Sequence, residues 1–253
     1  MSTFKFKRFE VRNEQAAMKV NTDGVLLGAA APLRREDRRI LDIGTGTGVI
    51  ALMLAQRIHD IQVNADGTMI TGIDIDHSAA EEAGQNFKAS PWAETLTCME
   101  TGLAALEQTL DESGDGVRYD LIVSNPPYYD SSLTNPDGRK ATARHTGGAE
   151  PDCRLSFREV MDFAEKRLAE DGRLAIVLPA DQEAALLRYG RMRNLHPSEI
   201  MRIRTVERKA PARIIVSFTR TRTETEEKML TIMEKGKYTP QYISLTKDFY
   251  LFA

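Results

Sequence analysis

Short apolar runs alternate along this chain with longer stretches whose apolar residues recur every three or four positions, the pattern of strands that feed helices. RRILDIG at 38–44 followed by VIALMLAQRI at 49–58 is the first such unit, and TMITGIDID at 68–76 with AAEEAGQNFKAS at 79–90 repeats it. TLTCME with LAALEQTL, YDLIVSNPP with LSFREVMDFAEKRLAEDG, and GRLAIVLP with DQEAALLRYG supply a third, fourth and fifth. Gly172 stands where a glycine is expected to close the preceding helix, and Pro179 ends the strand after it. EIMRIRTV and ARIIVSFTR then follow as strands separated by ERKAP, too short for a crossover helix, so they are expected to pair as an antiparallel hairpin. The expected fold is α/β and Rossmann-like, a mixed, mostly parallel sheet of seven strands with helices on both faces. Ahead of it FKFKRFEV alternates like a strand, and TDGVLLGAA reads as a helix capped by Thr22 or Asp23. The chain thus divides into an N-terminal strand and helix extension at 1–38, a core at 39–222 and a C-terminal appendage at 223–253.

Composition narrows the class without deciding it. With 253 residues, 42% apolar and 28% charged, disorder, collagen and coiled coil are excluded. Lys and Arg number 34 against 37 Asp and Glu, a net charge of −3, so contact with nucleic acid would need a local basic face. Cys98, Cys153 and the four histidines are scattered without ligand spacing, which gives neither a disulfide framework nor a metal site. The charged N-terminus has no apolar run behind it, and no window approaches the roughly 18 uninterrupted apolar residues of a spanning helix. The expectation is a soluble, cytoplasmic protein with no metal and no membrane partner.

The chemistry begins at the first strand-to-helix turn, Asp42-Ile43-Gly44-Thr45-Gly46-Thr47-Gly48, and at the acid ending the next strand, Asp74. In doubly wound folds this is the crevice that binds nucleotides. A dinucleotide fingerprint needs glycine at the sixth place, where this chain has Val49, so NAD is disfavoured. Alternate glycines let the backbone run close beside a ligand, and an acid one unit later can accept both ribose hydroxyls, which suits an adenosine without a pyrophosphate. Asp42 could meet a ligand's ammonium. From about Arg39 to Arg220 the arrangement resembles class I methyltransferases that use S-adenosyl-L-methionine, which implies that cofactor on Asp42, Gly44, Gly46, Gly48 and Asp74, with Glu100 as a further acid at the end of the third strand.

The fourth strand ends in Ser124-Asn125-Pro126-Pro127-Tyr128. Two prolines after a buried strand remove backbone donors and fix φ, freezing the turn. The pattern resembles the Asn-Pro-Pro-aromatic signature of methyltransferases acting on a nitrogen conjugated to a planar system: adenine N6, guanine N2 or a glutamine amide. The resemblance implies that the Asn125 side-chain oxygen and the Pro126 carbonyl accept the two N–H bonds, while Tyr128 stacks on the flipped base. No strong base is needed, so His145 reads as a contact on a basic loop rather than a catalytic group.

Two outer segments narrow the acceptor. Phe4-Lys5-Phe6-Lys7-Arg8-Phe9 and Ala17 to Gly28 resemble the opening of bacterial tRNA1(Val) (adenine(37)-N6)-methyltransferases, and Tyr238-Thr239-Pro240, Leu245 to Leu251 and Arg144-His145 fit that family too. This implies methyl transfer to N6 of adenine 37 beside the anticodon of a valine tRNA, and it puts Thr22 over the methionine end of the cofactor. Release-factor glutamine N5 and ribosomal guanine N2 methyltransferases are the rivals; the first typically carries a separate N-terminal helical domain, for which 38 residues leave little room. Between Leu186 and Arg222, Arg188, Arg191, Arg193, Arg202, Arg204, Arg208, Lys209, Arg213, Arg220 and Arg222 face only Glu199 and Glu207. With Lys5, Lys7, Arg8 and Arg12 and with Arg139, Lys140, Arg144 and His145, they are expected to form a basic face for tRNA phosphates. The stretch from Tyr129 to Arg154 is too long for an ordinary connection and is expected to act as a lid that orders on tRNA.

Overall fold

The computed structural model describes residues 3–16, 19–62, 67–114, 116–127 and 155–251. Tyr128 and the segment with Arg139, Lys140, Arg144 and His145 lie outside the described residues, so the stacking role, the lid and that part of the basic face are not addressed by it.

The parallel core consists of β3 (Arg39–Ile43), β4 (Met69–Asp74), β5 (Leu96–Glu100), β6 (Tyr119–Ser124) and β7 (Leu168–Pro179). β8 (His196–Val206) and β9 (Arg213–Thr219) pair antiparallel, as the short ERKAP connection demands. Helices α2 (Val49–Ile61), α3 (His77–Ala89), α4 (Leu103–Ser113), α5 (Phe157–Arg167) and α6 (Glu183–Met192) connect the parallel strands. Successive residues of a strand point to opposite faces, and a sheet covered on both sides therefore reads as a continuous apolar run. β3 shows this: Ile40 belongs to the core cluster shared with α1 (Thr22–Ala30) and α2, whereas Leu41 and Ile43 belong to the one shared with α5 and α6.

The sheet has nine strands, not seven. β10 (Glu226–Glu234) lies parallel to β8, with Met233 opposite Val206, and β11 (Lys237–Tyr238) returns antiparallel beside β10. The full order is β11-β10-β8-β9-β7-β6-β3-β4-β5. EEKMLTIME is charged at both ends, and only Leu230 of it is fully buried, so its own period is too weak to announce a strand. Its partner supplies what the local sequence lacks.

Two further local expectations change. FKFKRFEV is not one strand: β1 (Thr3–Lys5) and β2 (Glu10–Arg12) form a small antiparallel hairpin that turns at Phe6 to Phe9, with those two rings stacked at 4.5 Å. Gly172 does not close a helix, because α5 already ends at Arg167. It sits instead where β7 bulges against β6, and a Cβ there would stand 2.8 Å from both the Tyr119 carbonyl oxygen and the Ala169 nitrogen, so close approach demands glycine.

The outer segments lie on the α2 side of the sheet. α1 (Thr22–Ala30) is buried from Gly24 to Ala29, and its N-cap is Asn21, whose side chain accepts from Gly24 N–H, rather than Thr22 or Asp23. Asp23 is instead ion-paired to Arg213 at 2.8 Å, fastening the start of α1 to the start of β9. The first hairpin meets the C-terminus through Lys7 N–H, which donates to Phe249, and through the stacked rings of Phe6 and Tyr250. Between α1 and β3, Asp37 and Arg173 form a buried ion pair at 2.5 Å, and Arg173 also donates to the Pro32 carbonyl. Removing one partner would leave a buried charge uncompensated, at a cost of about 3–5 kcal/mol. No described helix is long and apolar enough to cross a membrane.

Candidate active site

β3, β4 and β6 are parallel neighbours, so their C-terminal ends open on one edge of the sheet. At that edge Gly44 N–H and Thr45 N–H both donate to the Ile73 carbonyl at 2.9 Å, which draws the glycine loop across the end of β4. Gly44, Gly46 and Gly48 all have positive φ. Gly48 is more tightly enclosed than Gly44: with φ of 80° it caps α2, and a Cβ would stand 2.4 Å from the ring of Phe87 on α3.

Asp74 is held from both sides. Its Oδ2 accepts from Gly46 N–H at 2.9 Å and its Oδ1 from Asp76 N–H at 3.0 Å. Each oxygen keeps a second lone pair, and Asp74 borders a cavity of about 420 Å³ with Gly44 and Gly46 at its floor. Ile73, Ile75 and Leu103 give this cavity an apolar wall. Ile75, on this wall, is 61% exposed. Gly102 and Leu103, which open α4 with no side-chain cap, also line this space.

Across the cavity stand Asn125 and Pro127, with Leu155 and Glu159 beyond them. Ser124 is wholly buried, and its hydroxyl donates to the Ile43 carbonyl at 2.8 Å, tying the end of β6 to the end of β3. Glu159 forms a capping box with Ser156 at the start of α5. Pro126 is buried behind the turn rather than lining the cavity.

Asp42 lies behind the glycine loop. It is fully buried, and its Oδ2 accepts from the Thr45 hydroxyl at 2.7 Å while Oδ1 has no hydrogen-bond partner among the described residues. Burial pushes its carboxyl up to about 7, against opposing hydrogen bonds from the Thr45 hydroxyl and the Ala51 backbone, and the nearby Asp74 charge adds to the rise. Asp42 thus stands near its own titration point, between a neutral acid and a buried charge.

The structure thus brings Gly44, Gly46, Asp74 and Asn125 to one cavity, and it leaves Thr22, Asp42, Gly48, Pro126 and Glu100 out of its lining. Glu100 instead binds Nδ1 of His77 at 2.7 Å, which raises the imidazole's pKa; both side chains are exposed. Sequence reading missed Ile75, Asp76, Thr101 to Ala104, Leu155 and Glu159. The only available signal was position, since Ile75 and Asp76 directly follow the strand-ending acid and 101–104 directly follow β5.

The arginines expected to form one face are divided. Arg193 is engaged with Asp162, Arg202 with Glu183 and Glu227, Arg213 with Asp23, and Arg220 with the Leu168 carbonyl. Arg188, Arg191, Arg208, Lys209 and Arg222 are exposed, but α6, which carries the first two, runs back from the cavity edge.

A family model described as Methyltransferase small domain matches residues 20–142. A tRNA1(Val) (adenine(37)-N6)-methyltransferase of Flavobacterium johnsoniae is 39% identical over 98% of this chain and 99% of its own length. Proteins of the same name from Bacteroides fragilis and Actinobacillus succinogenes are 37% and 38% identical, each over 98% of this chain and 97% of its own length. Among solved structures, a protein described as a predicted O-methyltransferase from Agrobacterium tumefaciens superposes with a TM-score of 0.65 at 17% identity, covering 88% of this chain and 95% of that one. At that identity the likeness shows the class I methyltransferase fold alone.

Proposed function

The chain belongs to the tRNA1(Val) (adenine(37)-N6)-methyltransferase family, and from that premise we propose that it transfers a methyl group from S-adenosyl-L-methionine to N6 of adenine 37 in a valine tRNA, in the cytoplasm. The observation that carries this reading is the single cavity bordered on one side by Asp74 and the glycine loop and on the other by Asn125. An adenosine site and an amine-acceptor site on opposite walls of one space are what direct transfer requires.

The residues present suit the cofactor. Asp74 offers a lone pair on each oxygen to a ribose diol, Ile75 and Leu103 offer an apolar slot for a base, and Asp42 lies beneath as a latent negative charge. When bound, the cofactor supplies an electrophilic methyl on a sulfonium. Asn125 and Pro126 accept the two N–H bonds of the exocyclic amine through a side-chain oxygen and a carbonyl, drawing its lone pair out of conjugation and toward the methyl. Tyr128, after Pro127, stacks on the extruded adenine. Thr22, at the start of a helix that packs against α2, closes over the amino-acid end. The core at 39–222 carries this chemistry, and the segments at 1–38 and 223–253 brace it and contribute to RNA contact.

The test is transfer of labelled methyl to total tRNA from a strain lacking the activity, followed by nucleoside digestion. N6-methyladenosine confined to a valine tRNA is the expected product; label in protein or ribosomal RNA with none in tRNA would overturn the acceptor.

A further inference from the structure

Two turns that are far apart in sequence meet at the edge of the sheet where the cavity opens. β6 and β7 are parallel, β9 runs against β7 and β8 against β9, so β8 ends at the same edge as β6. β10 is parallel to β8 and ends there too. The β8–β9 turn carries Arg208 and Lys209, Lys235 lies in the β10–β11 turn, and Lys237 opens β11 beside it, all four exposed. The register that sets Met233 opposite Val206 places these turns side by side. Glu207 in the first turn and Glu234 at the end of β10 are the acids next to them along the chain, the latter 3.8 Å from Lys235.

Both turns are braced. Arg204 donates to the Glu207 carbonyl and to the Thr231 hydroxyl, clamping the first turn onto β10. The second is a tight hairpin with Lys235 and Gly236 at positive φ, and Thr239 behind it donates its N–H to the Ile232 carbonyl. Tyr238, 39% exposed, stacks on Tyr242 at 4.8 Å and gives the ridge a flat apolar element. At about 4.8 Å per strand, β8 and β10 lie roughly 14 and 19 Å from β6 and its Asn-Pro-Pro turn.

We propose that these paired turns form the docking ridge for the tRNA phosphate backbone, gripping the stem while the target base enters the cavity. This rests on the tRNA reading above. Positive charge in a protein of net charge −3 is placed here on rigid turns at reach of the catalytic edge, and a polyanion whose one base must enter the cavity is the complementary partner.

The experiment measures tRNA affinity against salt for the full chain and for the combined variant Arg208→Ala, Lys209→Ala, Lys235→Ala and Lys237→Ala. Loss of four phosphate contacts lowers the log–log salt slope by about 3, so raising salt from about 50 to 200 mM costs the parent roughly 60-fold more affinity than the variant. KM for tRNA rises, while kcat and cofactor affinity hold. The pair Lys235→Gln and Lys237→Gln, confined to the exposed hairpin, lowers the slope by about half as much and serves if the fourfold variant folds poorly. An unchanged slope in both, or an equal loss on Arg188→Ala with Arg191→Ala, overturns the ridge while leaving methylation intact. A parent chain that binds tRNA through the ridge yet transfers no methyl overturns the activity and leaves the ridge standing.

Discussion

The hydroxyl of Ser124 donates to the carbonyl of Ile43 at 2.8 Å, so the residue before Asn125 is fastened to the residue before the glycine loop. This buried bond adds to the β3–β6 ladder, in which Ile43 lies opposite Ser124, in setting the two halves of the site against each other. Ser124→Ala leaves the Ile43 carbonyl short of a donor and costs about 1–3 kcal/mol of stability. Because the acceptor turn is then held at its base by the β3–β6 ladder alone, kcat falls by about 10- to 100-fold with cofactor affinity unchanged. Stopped-time methylation assays beside calorimetric cofactor titration check this; equal losses in both would show that the bond serves folding only.

Asn125→Ala separates the acceptor role from the cofactor role. Methylation is lost, while binding of S-adenosylhomocysteine stays within a few fold of the parent chain, because Asn125 borders the far wall of the cavity from Asp74. Activity that survives the substitution would refute the assignment.

Asp74→Ala does the reverse. It removes the acceptor that holds the Gly46 and Asp76 amides and faces the cavity, and cofactor affinity falls by about 10- to 150-fold, the worth of a hydrogen bond to a charged group. Isothermal titration reads this directly, and a change of less than a few fold would place the ribose elsewhere.

Asp42 makes stability depend on pH with an inverted sign for a carboxylate. Its folded value, about 7, lies above an unfolded value near 3.8, so between these limits the folded chain keeps a proton the unfolded chain has lost. This contribution to stability is full below about pH 4, declines as pH rises toward 7 and is flat beyond. Asp42→Asn should abolish that part of the slope in thermal unfolding of the ligand-free chain. A cation bound in the neighbouring cavity favours the ionised form, so cofactor binding near pH 6 should release a proton, measured by titration in buffers of differing ionisation enthalpy.

Gly48→Ala places a Cβ at positive φ and 2.4 Å from Phe87, and it should cost about 2–5 kcal/mol in urea unfolding. Adding Phe87→Leu relieves the crowding but not the backbone strain, so the double substitution recovers part of the loss. Full additivity of the two changes would show that the ring is not the obstacle.

The sequence by itself determined the succession of strands and helices from β3 to β9, the glycine turn, the acid one unit later and the Asn-Pro-Pro turn, because each is local: a period, a glycine where φ is positive, a proline where a donor is absent. Their convergence on one edge follows from the right-handed crossover of successive parallel units, so it too was legible before any coordinates. What only the tertiary structure decided are the relations that long-range pairing creates. β10 exists as a strand because β8 is there to pair with it, Gly172 is needed because Tyr119 approaches it, and Glu100 turns to His77 because α3 presents that ring. The arginines that looked like one face in a linear count were parted by ion pairs and by helix direction, whereas Lys235 and Lys237, distant in sequence, joined Arg208 and Lys209. Charge along a chain is a list of residues; which of those charges meet water, a carboxylate or a ligand depends on distances that only folding sets.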